Sequence, residues 1–176
     1  MRWVVLLACT AMVGRGQDLG AALAAASPAG VAYVGYDVPM QAGQGTVCSN
    51  WSGGIESRHK KLMLDGPSRL RILFRVDNGK VDKLLLASED CEIDSGTQRV
   101  VMLPGVTSAS SIRYLALRSD DSGLYAISLH RDPLATETLI ALARDSKNPR
   151  QQKKALFWLA RSKDAKAEQF IERILH

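Results

Sequence analysis

From Val31 to about Leu117 apolar residues alternate with small or polar ones, the period of strands that turn one face inward. "VAYVGYDVP" at 31–39 is one such run. "RLRILFRVDNGKVDKLLLAS" at 69–88 predicts a hairpin, with Leu70, Leu73 and Val76 before Asn78-Gly79 and Val81, Leu84 and Leu86 after it. Both residues of an Asn-Gly pair tolerate positive φ, which matches the twist of paired strands. Further short strands are predicted near Arg99–Leu103 and Ser111–Leu117, set apart by the turn-rich stretches "DSGT" and "PGVTSASS". After Ser119-Asp120-Asp121-Ser122 the period lengthens to about 3.6. "GLYAISLHRD", "PLATETLIALARD", "PRQQKKALFWLARS" and "DAKAEQFIERIL" are four helix-sized segments, with start signals at Asp121 or Ser122, Asp132-Pro133, Asn148-Pro149 and Lys163-Asp164. Leu139, Ile140 and Ala143 share one helical face, and Ala155, Leu156 and Leu159 share another.

These helices echo one another. Leu129 lies 30 residues before Leu159, and Leu139-Ile140 lies 31 before Phe170-Ile171, so the unit 122–145 recurs as 149–175. Paired helices repeating at such a spacing are the signature of an α-solenoid, whose units bury their apolar faces on their neighbours. "NPRQQKKALFWLARSKDAKAEQFIERIL" resembles a HEAT repeat of the short bacterial type, through Pro149-Arg150, Ala155-Leu156, Leu159, the Asp164-Ala165 turn and the apolar run Phe170–Leu175. "DPLATETLIALARDSKN" is similar to the second helix of a preceding repeat. Through "LRILFRVDNGKVDKLLLASEDCEIDSG" and "LFWLA", residues 31–176 also resemble exported bacterial HEAT-repeat proteins with a cysteine-containing β-rich portion. That resemblance implies a protein-binding scaffold. The chain departs from it by carrying about two repeats and no obvious polar terminal cap.

The amino terminus adds a compartment. Arg2 precedes an apolar run from Trp3 to Val13, followed by Gly14 and Gly16, the pattern of a secretory signal over residues 1–16. The run is too short to cross a bilayer as a helix, which takes about 20 residues. "LLAC", ending at Cys9, is a poorer lipoprotein box, because the apolar stretch before it falls below the usual signal core. Loss of the signal leaves Cys48 and Cys91 in an oxidising compartment, where a disulfide is the expected state and two separate buried thiols the alternative. The formal charge of +5 also falls by two, to +3, when Arg2 and Arg15 are removed, too weak a field to argue nucleic acid. The predicted organisation is α+β: signal peptide 1–16, alanine-rich linker or short frayed helix 17–30, small antiparallel β-rich domain 31–118, and a HEAT-like solenoid of about two repeats over 119–176.

Candidate chemistry is sparse. His59 sits in the basic stretch "SRHKK", and His130 at a helix end has the position of a cationic cap. The triplet His130-Arg131-Asp132 matches the opening of a kinase catalytic loop, yet Glu137 stands where its asparagine belongs. Glu89, Asp90, Glu92 and Asp94 surround Cys91 without the spacing of a calcium loop. Asn50-Trp51-Ser52 has the form of a glycosylation acceptor. The sequence offers no cofactor motif, no metal-ligand set and no nucleophile–base pair, so the expected function is non-enzymatic: protein binding or self-association through the helical repeats. The alternatives are an enzyme of the HEAT-like lyase type and a membrane-surface protein using a basic helix. The expected binding surface is the third helix, where Phe157 projects beside Arg150, Lys153, Lys154 and Arg161 with Trp158 on the flank. The competing expectation is that Phe157 and Trp158 only fill contacts between repeats.

Overall fold

The computed structural model describes residues 18–26, 30–48, 65–118 and 120–176, with the backbone of 56–59. The expected signal peptide and Asn50-Trp51-Ser52 lie outside the described residues. A helix, α1 (Leu19–Ala26), precedes a sheet, and five more helices follow it, giving an α+β chain.

The predicted hairpin forms as β3 (Arg69–Asp77) and β4 (Lys80–Ser88), and Asn78 and Gly79 take φ of 47° and 76° at its turn. β1 (Val31–Pro39) lies antiparallel beside β3, from Val31 opposite Asp77 to Pro39 opposite Arg69. β5 (Cys91–Asp94) leaves this sheet to pair with β2 (Glu56–His59), and β6 (Arg99–Met102) then joins the free edge of β1. The four-stranded order is β4-β3-β1-β6. Because the excursion through β5 returns the chain on the far side of β1, β6 runs parallel to it, with Ala32 opposite Arg99. The sheet is therefore mixed, not antiparallel as the sequence suggested.

Of the two readings of the alanine-rich stretch 17–30, linker or short frayed helix, the helix forms: Leu19 and Leu23, four residues apart on one helical face, are buried in the core as α1. Alanine is the best helix former, and Asp18 caps the start by accepting from the Gly20 N–H at 3.0 Å. Ser111–Leu117 is not a strand but the body of α2 (Ser108–Leu117). Ile112 and Leu115 sit three apart and are both fully buried, and Thr107 caps the helix by accepting from the Ser110 N–H at 3.1 Å. A short run with apolar residues at 112, 114, 115 and 116 fits both periods, and the Thr107 cap decides for the helix.

One sheet face, including Val34, Tyr36, Ile72, Phe74 and Leu86, faces α1, α2 and α3 (Asp121–Leu129). The same apolar cluster continues through Leu139, Leu159 and Phe170 into α4 (Pro133–Asp145), α5 (Pro149–Ala160) and α6 (Ala165–Leu175), so sheet and helices share one core. The opposite face buries Tyr33, Leu73 and Leu85 with Ile93. Gly35 is required between the faces. A Cβ there would lie 2.4 Å from both the Ile72 carbonyl oxygen and Leu73 Cδ2. Gly35→Ala is expected to cost about 1–3 kcal/mol, read as a lower urea midpoint.

From α2 onward each helix packs against the next and against the next but one. Asp120, Asp132, Asn148 and Asp164 cap α3 to α6 by accepting backbone N–H bonds, so three of the four start signals fall as expected and the first shifts to Asp120. Equivalent positions of the two units bury alike: Leu129 with Leu159, and Leu139 with Phe170. The match ends at α6, where Ile174, 31 residues after the buried Ala143, is half exposed and Leu175 is exposed.

Candidate functional site

The end of β1 is fastened to the α3–α4 corner by two backbone bonds, Arg131 N–H to the Pro39 carbonyl at 3.0 Å and Gln41 N–H to the Leu129 carbonyl at 2.9 Å. These bonds place the loop after β1 over the helices. With α5 packed against α3 and α4, a cleft of about 700 Å³ opens between them. Its walls are Gln41 and Gln44 of the loop, Tyr125 and Ser128 of α3, Arg131 to Pro133 of the corner, Phe157 and Trp158 of α5, and Arg161 to Ser162 with Asp164 of the final turn.

Aromatic rings form the α5 side. Tyr125 stacks on Trp158 with centroids 4.5 Å apart and planes at 23°, and Phe157 meets Trp158 edge-on at 4.9 Å. Burial raises the Tyr125 phenol pKa above its usual value, with Arg161 pulling the other way. Phe157 is 47% exposed, and the Lys154 ammonium and Arg161 guanidinium each lie 5.6 Å from its ring centre. Such cation–ring contacts contribute about 0.5–1 kcal/mol at exposed sites. Lys154 also pairs with Asp121 at 3.0 Å. The Trp158 indole N–H is buried with no acceptor among the described residues, a state that costs about 1–3 kcal/mol.

Of the six residues singled out in the sequence, Phe157, Trp158 and Arg161 line the cleft, and Lys154 stands beside them over Phe157. Arg150 and Lys153 are exposed on α5 and do not line it. Trp158 fills a contact with α3 through Tyr125, while Phe157 stays half exposed.

The cleft's charges are not symmetric. Asp132 accepts from the Leu134 N–H at 2.9 Å, and Asp164 accepts from Lys166 N–H at 2.8 Å and Ala167 N–H at 3.4 Å, so each carboxylate is committed to a helix N-terminus. Arg131 and Arg161 have no carboxylate partner among the described residues.

Sequence reasoning missed a buried polar chain behind this cleft. His130 Nδ1 lies 2.7 Å from the Ala126 carbonyl oxygen, its Nε2 2.9 Å from Ser111 Oγ, and Ser111 Oγ 2.8 Å from the Tyr36 hydroxyl. A carbonyl only accepts, so Nδ1 carries the proton, Ser111 donates to Nε2, and Tyr36 donates to Ser111. Burial lowers the His130 pKa, and the Ala126 carbonyl and Asp132 oppose this only partly. His130 does bond a carbonyl of the α3 C-terminus, but as a buried imidazole whose pKa is lowered, and not as the cationic cap expected. Ser111 and His130 are at nucleophile–base distance, a juxtaposition the sequence did not disclose. Ser111 is fully buried, however, and the ring's other nitrogen rests on a carbonyl in place of a carboxylate. The pair joins β1, α2 and α3 as structure.

Cys48 and Cys91 form the expected disulfide, with Cα atoms 5.8 Å apart. The acids around it are tied into the fold. Glu89 accepts from the Ser68 N–H and hydroxyl at 2.6 and 2.8 Å, bonds that hold its pKa below the ordinary value, and Asp90 is buried and accepts from Thr46 and Ser88. Asp94 accepts from the Gly96 N–H at 2.8 Å. Among the described residues no group of three His, Cys, Asp or Glu is arranged to hold a metal ion, and no helix is long and apolar enough to cross a membrane. His59 pairs through its backbone with Cys91 in the β2–β5 ladder. Comparison of the chain with protein-family models, with curated proteins and with solved structures finds no match.

Proposed function

We propose that this chain is an exported, non-enzymatic protein-interaction module, in which a disulfide-braced sheet carries a HEAT-like array of about two repeats. The observation that carries the reading is Phe157, half exposed at a cleft and flanked by Lys154 and Arg161. The exposed half of this ring is left without a partner by the fold, and aromatics and arginine are the residues that dominate protein interfaces. Packing of each helix against its next two neighbours supports the array, because stacked helix pairs bury their stripes in that way. The disulfide supports export, since such bonds persist in oxidising compartments.

The test is affinity capture from the exported fraction, comparing wild type with a Phe157→Ser/Arg161→Glu double variant of unchanged melting temperature. Recovery of the captured partner is expected to fall about tenfold or more, as for loss of interface anchors. Equal recovery by both proteins would remove this surface from the function.

A further inference from the structure

We infer that the cleft takes an acidic peptide segment bearing one aromatic or bulky aliphatic side chain, its apolar group resting on Phe157 and Trp158 and its carboxylates on Arg131 and Arg161. The inference deepens the protein-binding reading above and rests on it. The carboxylates in the cleft wall, Asp132 and Asp164, each hold one oxygen on the α4 or α6 N-terminus, whereas Arg131 and Arg161 have no salt-bridge partner among the described residues. Lys154 is partly neutralised by Asp121, so Arg161 is the unpaired cation over the Phe157 ring. The unpaired cations of the walls are met by carboxylates and peptide carbonyls. A basic segment would set its cations beside two unpaired arginines, with only the capping carboxylates of Asp132 and Asp164 to receive them. The half-exposed Phe157 ring calls for an apolar partner as well, which a purely acidic stretch lacks.

The probe is acetyl-Asp-Glu-Phe-Asp-Glu-amide, titrated into the full chain while following the Trp158 indole N–H resonance, assigned by its loss in Trp158→Phe. A saturable shift is expected, with affinity about tenfold weaker for Arg131→Gln or Arg161→Gln and for the peptide with alanine in place of phenylalanine. Binding of acetyl-Lys-Lys-Phe-Lys-Lys-amide or of hexathymidylate as tight as the acidic probe would overturn the assignment, as would the absence of any shift at millimolar probe. Partner capture that depends on Phe157 while the acidic peptide fails to bind would sink this ligand and leave the binding module intact. Acidic-peptide binding together with capture indifferent to Phe157 would do the reverse.

Discussion

Opening the Cys48–Cys91 bond with a reductant, or removing it by Cys48→Ala/Cys91→Ala, is expected to lower the unfolding free energy by about 4 kcal/mol, the loop entropy released by a closure of 43 residues. That is a large share of the roughly 5–15 kcal/mol that holds a domain. The loss falls on the unfolded chain, because the folded contact has other support. Ser88 N–H donates to the Val47 carbonyl at 2.7 Å, Val47 N–H to Ser88 Oγ at 2.9 Å, and Thr46 to Asp90. Cys48 also bridges Ala87 on β4. The folded shape therefore persists on reduction while its margin shrinks. With a urea slope near about 2 kcal/mol/M the midpoint should fall by about 2 M, equally for the reduced and the substituted protein. A midpoint indifferent to reductant would show that the bond adds nothing beyond those hydrogen bonds.

What the sequence disclosed follows from how local each signal is. Asn78-Gly79 specifies its hairpin within twenty residues, and the caps at Asp132, Asn148 and Asp164 fix three helix starts from neighbouring atoms alone. The parallel seat of β6 on β1 and the docking of α1 into the core depend on partners far along the chain, which no local period encodes. Segment 111–117 was ambiguous for a different reason: an apolar run of that length satisfies two periods, and only the cap at Thr107 separates them. The cleft was half legible. A helical projection placed Phe157 among basic residues, but the cations without counter-charge, Arg131 and Arg161, come together only when the α3–α4 corner is fastened to β1. The Tyr36–Ser111–His130 chain was not legible, since its members come from a strand, from a helix read as a strand and from a helix end, up to 94 positions apart in numbering.

That chain makes the fold sensitive to acid. His130 has its pKa lowered from the ordinary 6.5, chiefly by burial, so the unfolded chain takes up a proton at a pH where the folded one does not. Stability is then complete above about 6.5 and is lost as pH falls from there toward the folded pKa, by up to about 1.4 kcal/mol per pH unit. The hydrogen bonds give the same sign. A protonated ring would donate from Nε2, both it and Tyr36 would point donors at Ser111, and the Ser111 proton would lose the acceptor it now has. Tyr36 offers no relief, because burial raises its pKa and keeps its hydroxyl a donor. Asp132 favours the charged ring, but its pull is smaller than the burial cost. Glu89 and Asp145, whose pKa values are lowered from 4.5 and 3.8, lose their contributions only at still lower pH. Urea unfolding between about pH 7.5 and about pH 5.5 should therefore show a loss in the wild type that shrinks in His130→Gln, whose amide keeps one donor and one acceptor but does not titrate. His130→Ala should cost about 2–5 kcal/mol even at neutral pH, since it strands both the Ser111 hydroxyl and the Ala126 carbonyl. Parallel pH dependence in wild type and His130→Gln would mean that another group carries the proton linkage.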